Sequence, residues 1–239
     1  MSRKTANTSR APNPRIDRIR TAIVGAALVL AAVVFGAGVW YTTGSSDGIT
    51  EGTHYQRIED APARVPGAPI VVQEVFSYAC IHCRNFDPMI ETWQSELPEG
   101  VRFERLPATF SPAWTILAQT YFTLEELGIR ARNHDRLFKA IHDTGRQFVS
   151  IEAVAAFVDG FGASEAEFLA AARGPAVATR LRQAERTLRS IGITGVPMLI
   201  VDGRYLIGMN EGRKAALDTA DHLIAQMLAE PPVSSTPST

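Results

Sequence analysis

An apolar, β-prone run from Ile70 to Tyr78 leads directly into Cys80-Ile81-His82-Cys83, and a helical pattern follows it. Phe86, Met89, Ile90, Trp93 and Leu97 fall at i, i+3, i+4, i+7 and i+11, which is one face of a helix. That order puts both cysteines at a strand-to-helix junction, with Cys80 at the helix N-terminus. Unpaired N–H groups and the positive end of the helix dipole favour a thiolate there. These are the only 2 cysteines in 239 residues. Three readings of the pair compete. Two inert buried thiols would leave their close spacing unexplained. A structural zinc site needs about four ligands, and no second Cys or His pair has ligand spacing. A redox-active dithiol is the reading that the preceding strand and following helix support.

The flanking residues carry a resemblance. Phe76-Ser77-Tyr78-Ala79-Cys80-Ile81-His82-Cys83, with Glu74 ahead of the first cysteine, resembles the DsbA family of thiol:disulfide interchange proteins, thioredoxin-fold oxidases. Gly195-Val196-Pro197 and the run after it resemble that family's cis-proline loop and hairpin, and Gly67-Ala68-Pro69 is also similar. The similarity spans roughly Tyr55 to Leu228. One departure is Ile81, where many members have proline. The resemblance implies a thioredoxin-like α/β fold with an inserted all-helical subdomain. It implies Cys80 and Cys83 as the reacting pair, His82 beside the Cys80 thiolate, and Glu74 as a buried carboxylate aiding proton transfer from Cys83. It implies a cis Val196–Pro197 bond facing the cysteines, with the Val196 backbone free to pair with an extended substrate. No cofactor beyond the Cys80–Cys83 disulfide and no metal is implied.

Read from its start, the chain divides by charge. Net charge is −1, but residues 1–20 hold six basic residues against the single acid Asp17, a local +5 that leaves −6 for the rest. The basic run is short and lacks interleaved aromatics, so a nucleic-acid partner is not expected. Residues 21–46 carry no charged side chain. Thr21 to Tyr41 matches the roughly 20 residues that cross a bilayer as a helix, closed by Trp40 and Tyr41. Basic residues before the span put the N-terminus in the cytoplasm and the rest outside, and the family resemblance implies that this outside is the periplasm. An uncleaved inner-membrane anchor is the expectation. A cleaved signal peptide is the alternative, although the apolar run is long for one and Gly36-Ala37-Gly38 is a poor site. Residues 42–54 read as a flexible linker, which could reach at most about 40 Å.

Beyond the linker, a first thioredoxin-like part covers 55–111, a helical insertion 112–190 and a second thioredoxin-like part 191–229. Residues 230–239, rich in Pro and Ser, read as a disordered tail. The first part contains a short strand near Tyr55–Ile58, the strand Ile70–Tyr78, the active-site helix interrupted by Pro88, and a strand from Val101 to Leu106. The insertion shows apolar stripes at Trp114–Leu124, Leu137–Ile141, Ile151–Val158 and Val177–Ile191, and a capping-box pattern at Ser164 and Glu167. Its histidines His134 and His142, like His54 and His222, read as isolated, solvated or near helix caps. Arg180, Arg182, Arg186 and Arg189 read as a wet helix face. Asp202-Gly203 marks a hairpin turn, and Leu217 to Leu228 a closing amphipathic helix.

Outside the cytoplasm thiols tend to oxidise, and so small a loop as Cys80–Cys83 contributes little as a staple. The expected activity is therefore donation of the Cys80–Cys83 disulfide to unfolded secreted or periplasmic proteins. The family resemblance implies reoxidation by a quinone-linked membrane protein of the DsbB type. Besides a redox-inert chaperone or adhesion scaffold, two alternatives stand beside it. One is a reductase or isomerase on the same fold. The other is a membrane-anchored copper chaperone binding through both thiols.

Overall fold

The computed structural model describes residues 48–65 and 67–229, with Gly25 apart from them. The basic segment, the expected membrane span, the start of the linker and the C-terminal tail lie outside the described residues. Among the described residues no helix is long and apolar enough to cross a membrane. Within the stretch assigned to the linker, the Gly52 amide donates to the Tyr55 carbonyl at 2.8 Å and Arg57 pairs with Glu51 at 2.9 Å.

Five strands form one sheet: β1 (Gln56–Arg57), β2 (Ile70–Phe76), β3 (Val101–Pro107), β4 (Met198–Val201) and β5 (Tyr205–Ile207), in the order β1-β5-β4-β2-β3. The β2–β3 pair is parallel and all other pairs are antiparallel. A parallel neighbour needs a crossover, and α1 (Ile81–Ser95) supplies it. The β4–β5 turn has both Asp202 (φ 53°) and Gly203 (φ 66°) in the left-handed region, the type I′ geometry its Asp-Gly pair favours.

Among the described residues six more helices follow: α2 (Pro112–Glu126), α3 (Arg130–His142), α4 (Ile151–Val158), α5 (Glu165–Ala172), α6 (Pro175–Ile191) and α7 (Arg213–Ala229). The helices α2–α6 form the insertion between β3 and β4. Local chemistry sets their ends. Ser111, Ser150 and Ser164 each accept a backbone N–H at an N-cap, and Ser164 with Glu167 closes a reciprocal capping box. Each such cap contributes about 1 kcal/mol. Gly192, with φ at 73°, ends α6 in the left-handed conformation that glycine adopts without strain.

Two hydrophobic clusters share β2, one at its start and one at its end. Ile70 and Val72 face Phe86, Ile90 and Trp93 of α1 and Leu223 and Ile224 of α7. Val75 and Phe76 face the other cluster, with Tyr121, Leu137, Phe138 and Leu188 of the insertion. The two cysteines belong to this second cluster, so the pair sits where the sheet meets the inserted helices.

Several expectations shift in detail. The strand read as Ile70–Tyr78 ends at Phe76, which frees Tyr78 to turn into the helical side. Leu97 lies past the end of α1 yet still packs on its cluster. Leu228 is exposed, so the dry face of α7 ends at Met227. Arg180 is half-buried, with its guanidinium 4.7 Å from the Phe122 ring centroid. His134 is a larger correction. It is 5% exposed rather than solvated. It precedes Leu137 and Phe138 by three and four positions, which places all three on the buried stripe of α3.

Candidate active site

Cys80 is the N-cap of α1, with extended backbone (φ −96°, ψ 114°), and its sulfur accepts the Cys83 amide at 3.3 Å. The first turn of α1 contains no acidic residue to oppose a negative charge. The Cys80 thiol also reaches the Val196 carbonyl at 3.7 Å. The Val196–Pro197 bond is cis, and its loop lies over the N-terminus of α1. Both cysteines are free thiols in this structure.

Three residues apart, the two sulfurs have opposite surroundings. Cys80 is held down to about 6 from an ordinary 9.0, first by a hydrogen bond from the Cys83 thiol and then by the Cys83 and His82 amides, with partial burial opposing. The charge of the His82 side chain comes last among these influences. His82 itself is exposed, so much of its effect passes through its backbone N–H. Cys83 is fully buried, and its thiol is pushed far up by desolvation, then by the neighbouring Cys80 sulfur and the charge of Glu74. The pair is thus built for one stable anion, on Cys80.

Behind the thiols lies a buried charged cluster. Glu74 is 1% exposed, and desolvation raises its carboxyl to about 8 against the pull of Arg105. The β2–β3 register pairs Glu74 directly with Arg105, whose guanidinium reaches Glu74 at 3.1 Å, Asp87 at 2.7 Å and Glu91 at 2.8 Å. Asp87 in turn meets His134 Nε2 at 2.9 Å, and His134 Nδ1 meets the Tyr78 hydroxyl at 2.8 Å. His142 Nε2 donates to the Tyr78 carbonyl at 2.8 Å.

The sequence singles out Cys80, His82, Cys83, Glu74, Val196 and Pro197. The structure brings the two thiols together with the His82 amide and the Val196 carbonyl, while Glu74 acts on both sulfurs through its charge. Sequence reading missed Asp87, Arg105, His134 and Tyr78. Two signals were present. Asp87 follows Cys83 by four positions, one helical turn along the same face. Arg105 falls on the Val101 and Phe103 side of its strand's alternation, where another apolar residue would be expected, and Glu74 interrupts an apolar strand.

Two hollows flank the cis-proline loop. One, of about 360 Å³, is lined by His82, Val196, Pro197, Met209, Gly212 and Arg213. The other, of about 270 Å³, lies between the same loop and Tyr55, Gly208 and Asn210. The largest hollow among those described, about 420 Å³, is not lined by either cysteine and lies among β3, α2 and α6, touching Arg105, Arg130 and Arg180. Among the described residues no group of three or more His, Cys, Asp or Glu side chains is arranged to hold a metal ion.

Comparison with known proteins bears on this geometry directly. The family model of the DSBA-like thioredoxin domain matches residues 71–217. The thiol:disulfide interchange protein DsbA of Azotobacter vinelandii is 35% identical over 211 residues, covering 87% of this chain and 98% of that protein. The protein of the same name from Pseudomonas aeruginosa is 34% identical over 200 residues, covering 82% and 94%. Its crystal structure superimposes with a TM-score of 0.72 at 33% identity, covering 77% of this chain and 96% of that one. The oxidoreductase DsbA from Xylella fastidiosa superimposes at 0.71 with 31% identity, covering 76% and 99%.

Proposed function

The chain belongs to the DsbA family of thioredoxin-fold thiol:disulfide oxidoreductases, and on that premise we propose how its residues carry disulfide donation to exported polypeptides. In the oxidised protein a client thiolate attacks the Cys80 sulfur, the more accessible of the two. The Cys80–Cys83 bond breaks, a client–Cys80 bond forms, and Cys83 leaves as a thiolate. Burial makes that anion costly, so it takes a proton from Glu74. A second client thiolate then attacks the client sulfur of the mixed disulfide. Cys80 leaves as a thiolate, the client keeps a disulfide, and the enzyme pair is reduced by two electrons. A leaving group of low pKa speeds this last step.

The observation that carries this reading is the asymmetry of the pair, with Cys80 held down to about 6 at the helix N-cap and Cys83 pushed up in the core. Stabilising the Cys80 thiolate stabilises the reduced protein, so the oxidised form gives up its bond readily. Each pKa unit corresponds to about 1.4 kcal/mol, or about 30 mV for a two-electron couple. The Val196 carbonyl lies within reach of the Cys80 sulfur, and this supports pairing of the loop backbone with an extended client strand.

The catalytic domain works outside the cytoplasm, where export delivers unfolded thiol-bearing chains. Reoxidation falls to a quinone-linked membrane protein of the DsbB type, and residues 21–41 hold the domain near it as a single-pass anchor with the N-terminus inside. Redox equilibration of the full chain with glutathione tests the donor reading. A donor is already half-reduced in strongly oxidising glutathione mixtures. A pair that stays oxidised until the mixture is strongly reducing identifies a reductase instead. Replacing residues 1–41 by a cleavable export signal tests the anchor. Slower reoxidation in cells is expected, and an unchanged rate would remove tethering from the account.

A further inference from the structure

The disulfide chemistry uses Cys80, Cys83 and Glu74, but the buried polar chain does not stop at Glu74. It runs on through Arg105 and Asp87 to His134 and Tyr78, with successive contacts of 3.1, 2.7, 2.9 and 2.8 Å. Such a chain is costly to bury unless every member is satisfied, and here the bonding directions can be assigned. A carboxylate only accepts, so His134 Nε2 carries the hydrogen toward Asp87. Burial of His134 disfavours its charged form, although Asp87 opposes that shift. In the neutral ring Nδ1 is then an acceptor, and the Tyr78 hydroxyl donates to it. Tyr78 keeps that proton because burial holds its phenol well above the usual range.

Charge balance gives the chain a purpose. Arg105 is shared by Glu74, Asp87 and Glu91. The next guanidinium, Arg130, approaches Glu91 at 3.9 Å but is committed to Glu125 at 2.5 Å. Two guanidiniums therefore face four carboxylates. Glu91 and Glu125 reach solvent, and Asp87 lines a surface hollow of about 330 Å³ with Arg84, Pro88 and Asp135. Glu74 alone among the four is fully buried.

We propose that Asp87 and His134 are positioning residues for the proton exchanged between Glu74 and Cys83: the Tyr78–His134–Asp87 chain keeps Asp87 ionised beside Arg105, and that negative charge adds to burial in keeping a proton on Glu74. Arg105 does not pass protons along the chain, since it stays charged throughout. The coupling is electrostatic. A negative Asp87 raises the proton affinity of Glu74, whereas Arg105 lowers it. The other ionisable groups around the cluster are Cys80 and Cys83 on α1, Arg130 on α3, and Tyr121 on α2. Asp221 of α7 is taken by the Trp93 indole at 2.7 Å. The inference rests on Glu74 being the proton partner of Cys83.

The test is an infrared titration of the buried carboxylic acid in the full, reduced chain, alongside the pH profile of mixed-disulfide resolution. Glu74→Gln assigns the band. Asp87→Asn is expected to lower its midpoint by about one pH unit or more, the usual effect of removing a like charge at close range. His134→Leu strips a donor from Asp87, lets it compete for the proton and lowers the Glu74 midpoint by a smaller amount. His134→Gln can donate to Asp87 and accept from Tyr78, so it restores a midpoint close to the native one. The kinetic profile should move with the band. If Glu74→Gln leaves the band in place, Glu74 is not the protonated acid, and the proton-partner reading falls with the proposal. If the band is Glu74's but Asp87→Asn leaves its midpoint unmoved, the proposal alone is overturned. Should His134→Leu not fold, Asp87→Asn against His134→Gln still decides.

Discussion

The outer and inner sides of the cysteine pair share a turn of helix and treat negative charge in opposite ways. On the outer side, Cys80 meets the Cys83 and His82 amides at the start of α1 and the carbonyl of the cis-proline loop. Its anion is stabilised by short-range donors, first the Cys83 thiol and then the two backbone amides. On the inner side, Cys83 and Glu74 are both buried, Glu74 against the Arg105 guanidinium, and both are driven to hold protons. A neighbouring thiol and backbone amides can therefore hold an anion at a site that clients reach, while burial holds a proton on a carboxyl group where clients cannot reach. Thiol exchange needs both sides, because one sulfur must leave as an anion and the other must not remain one.

Breaking the outer side has the largest effect. Cys80→Ser should abolish oxidation of a reduced client protein, measured by loss of client thiols. Cys83→Ser should instead leave clients trapped on Cys80 as mixed disulfides, visible by mass. Finding the client trapped on Cys83 in the converse variant would reverse the assignment of the two sulfurs.

The inner side breaks next. Arg105→Met leaves Glu74, Asp87 and Glu91 without their common cation, and a buried ion deprived of its partner costs on the order of 3 kcal/mol. Chemical denaturation should report that loss, concentrated at neutral and alkaline pH. A variant as stable as the native protein would show that the cluster does not depend on its guanidinium.

A subtler experiment separates the sides by pH. Glu74 holds its proton up to about 8 in the folded chain but only to an ordinary 4.5 when unfolded. Between those values the folded state binds more protons, so stability declines as pH rises through this window and levels off above it. Glu74→Gln should remove that decline. Cys80 has the opposite sign. In the reduced protein its folded value of about 6 lies below the ordinary 9.0, so its contribution to stability grows as pH rises between the two. Cys80→Ala should lose that gain, and stability curves of the two variants measured across pH should diverge in opposite directions.

The two sides also differed in how far they could be read from sequence. The outer side was legible, since a strand, a C-x-x-C and a helical stripe place Cys80 at an N-terminus by local periodicity alone. The capping box at Ser164 and Glu167 and the Asp202-Gly203 turn were legible for the same local reason. The cis bond at Pro197 followed from resemblance, because one proline at the head of a strand does not reveal its isomer. The inner side depends on tertiary register. Glu74 meets Arg105 because β2 and β3 pair in step. His134 meets Asp87 because α3 from the insertion packs over α1, a contact joining residues 47 apart in sequence. A histidine in a charged helix looks solvated until its place on the apolar stripe is compared with what that stripe touches.

The smallest expected effect concerns His82. Its side chain is exposed and its charge comes last among the influences on Cys80, while its amide survives any substitution except proline. His82→Ala should therefore raise the Cys80 value by less than about one pH unit and make the pair only slightly less oxidising. A larger rise would transfer the credit from the helix backbone to the imidazole.

The ultraviolet thiolate absorbance of the reduced full chain, titrated against pH with Cys83→Ser as a second sample, tests the asymmetry most directly. The account predicts a single thiolate appearing with a midpoint near 6, assigned to Cys80, and no second ionisation before the protein denatures in alkali. A first thiolate appearing only near the ordinary 9.0 would contradict it, because Cys80 would then be no better a leaving group than an unperturbed thiol.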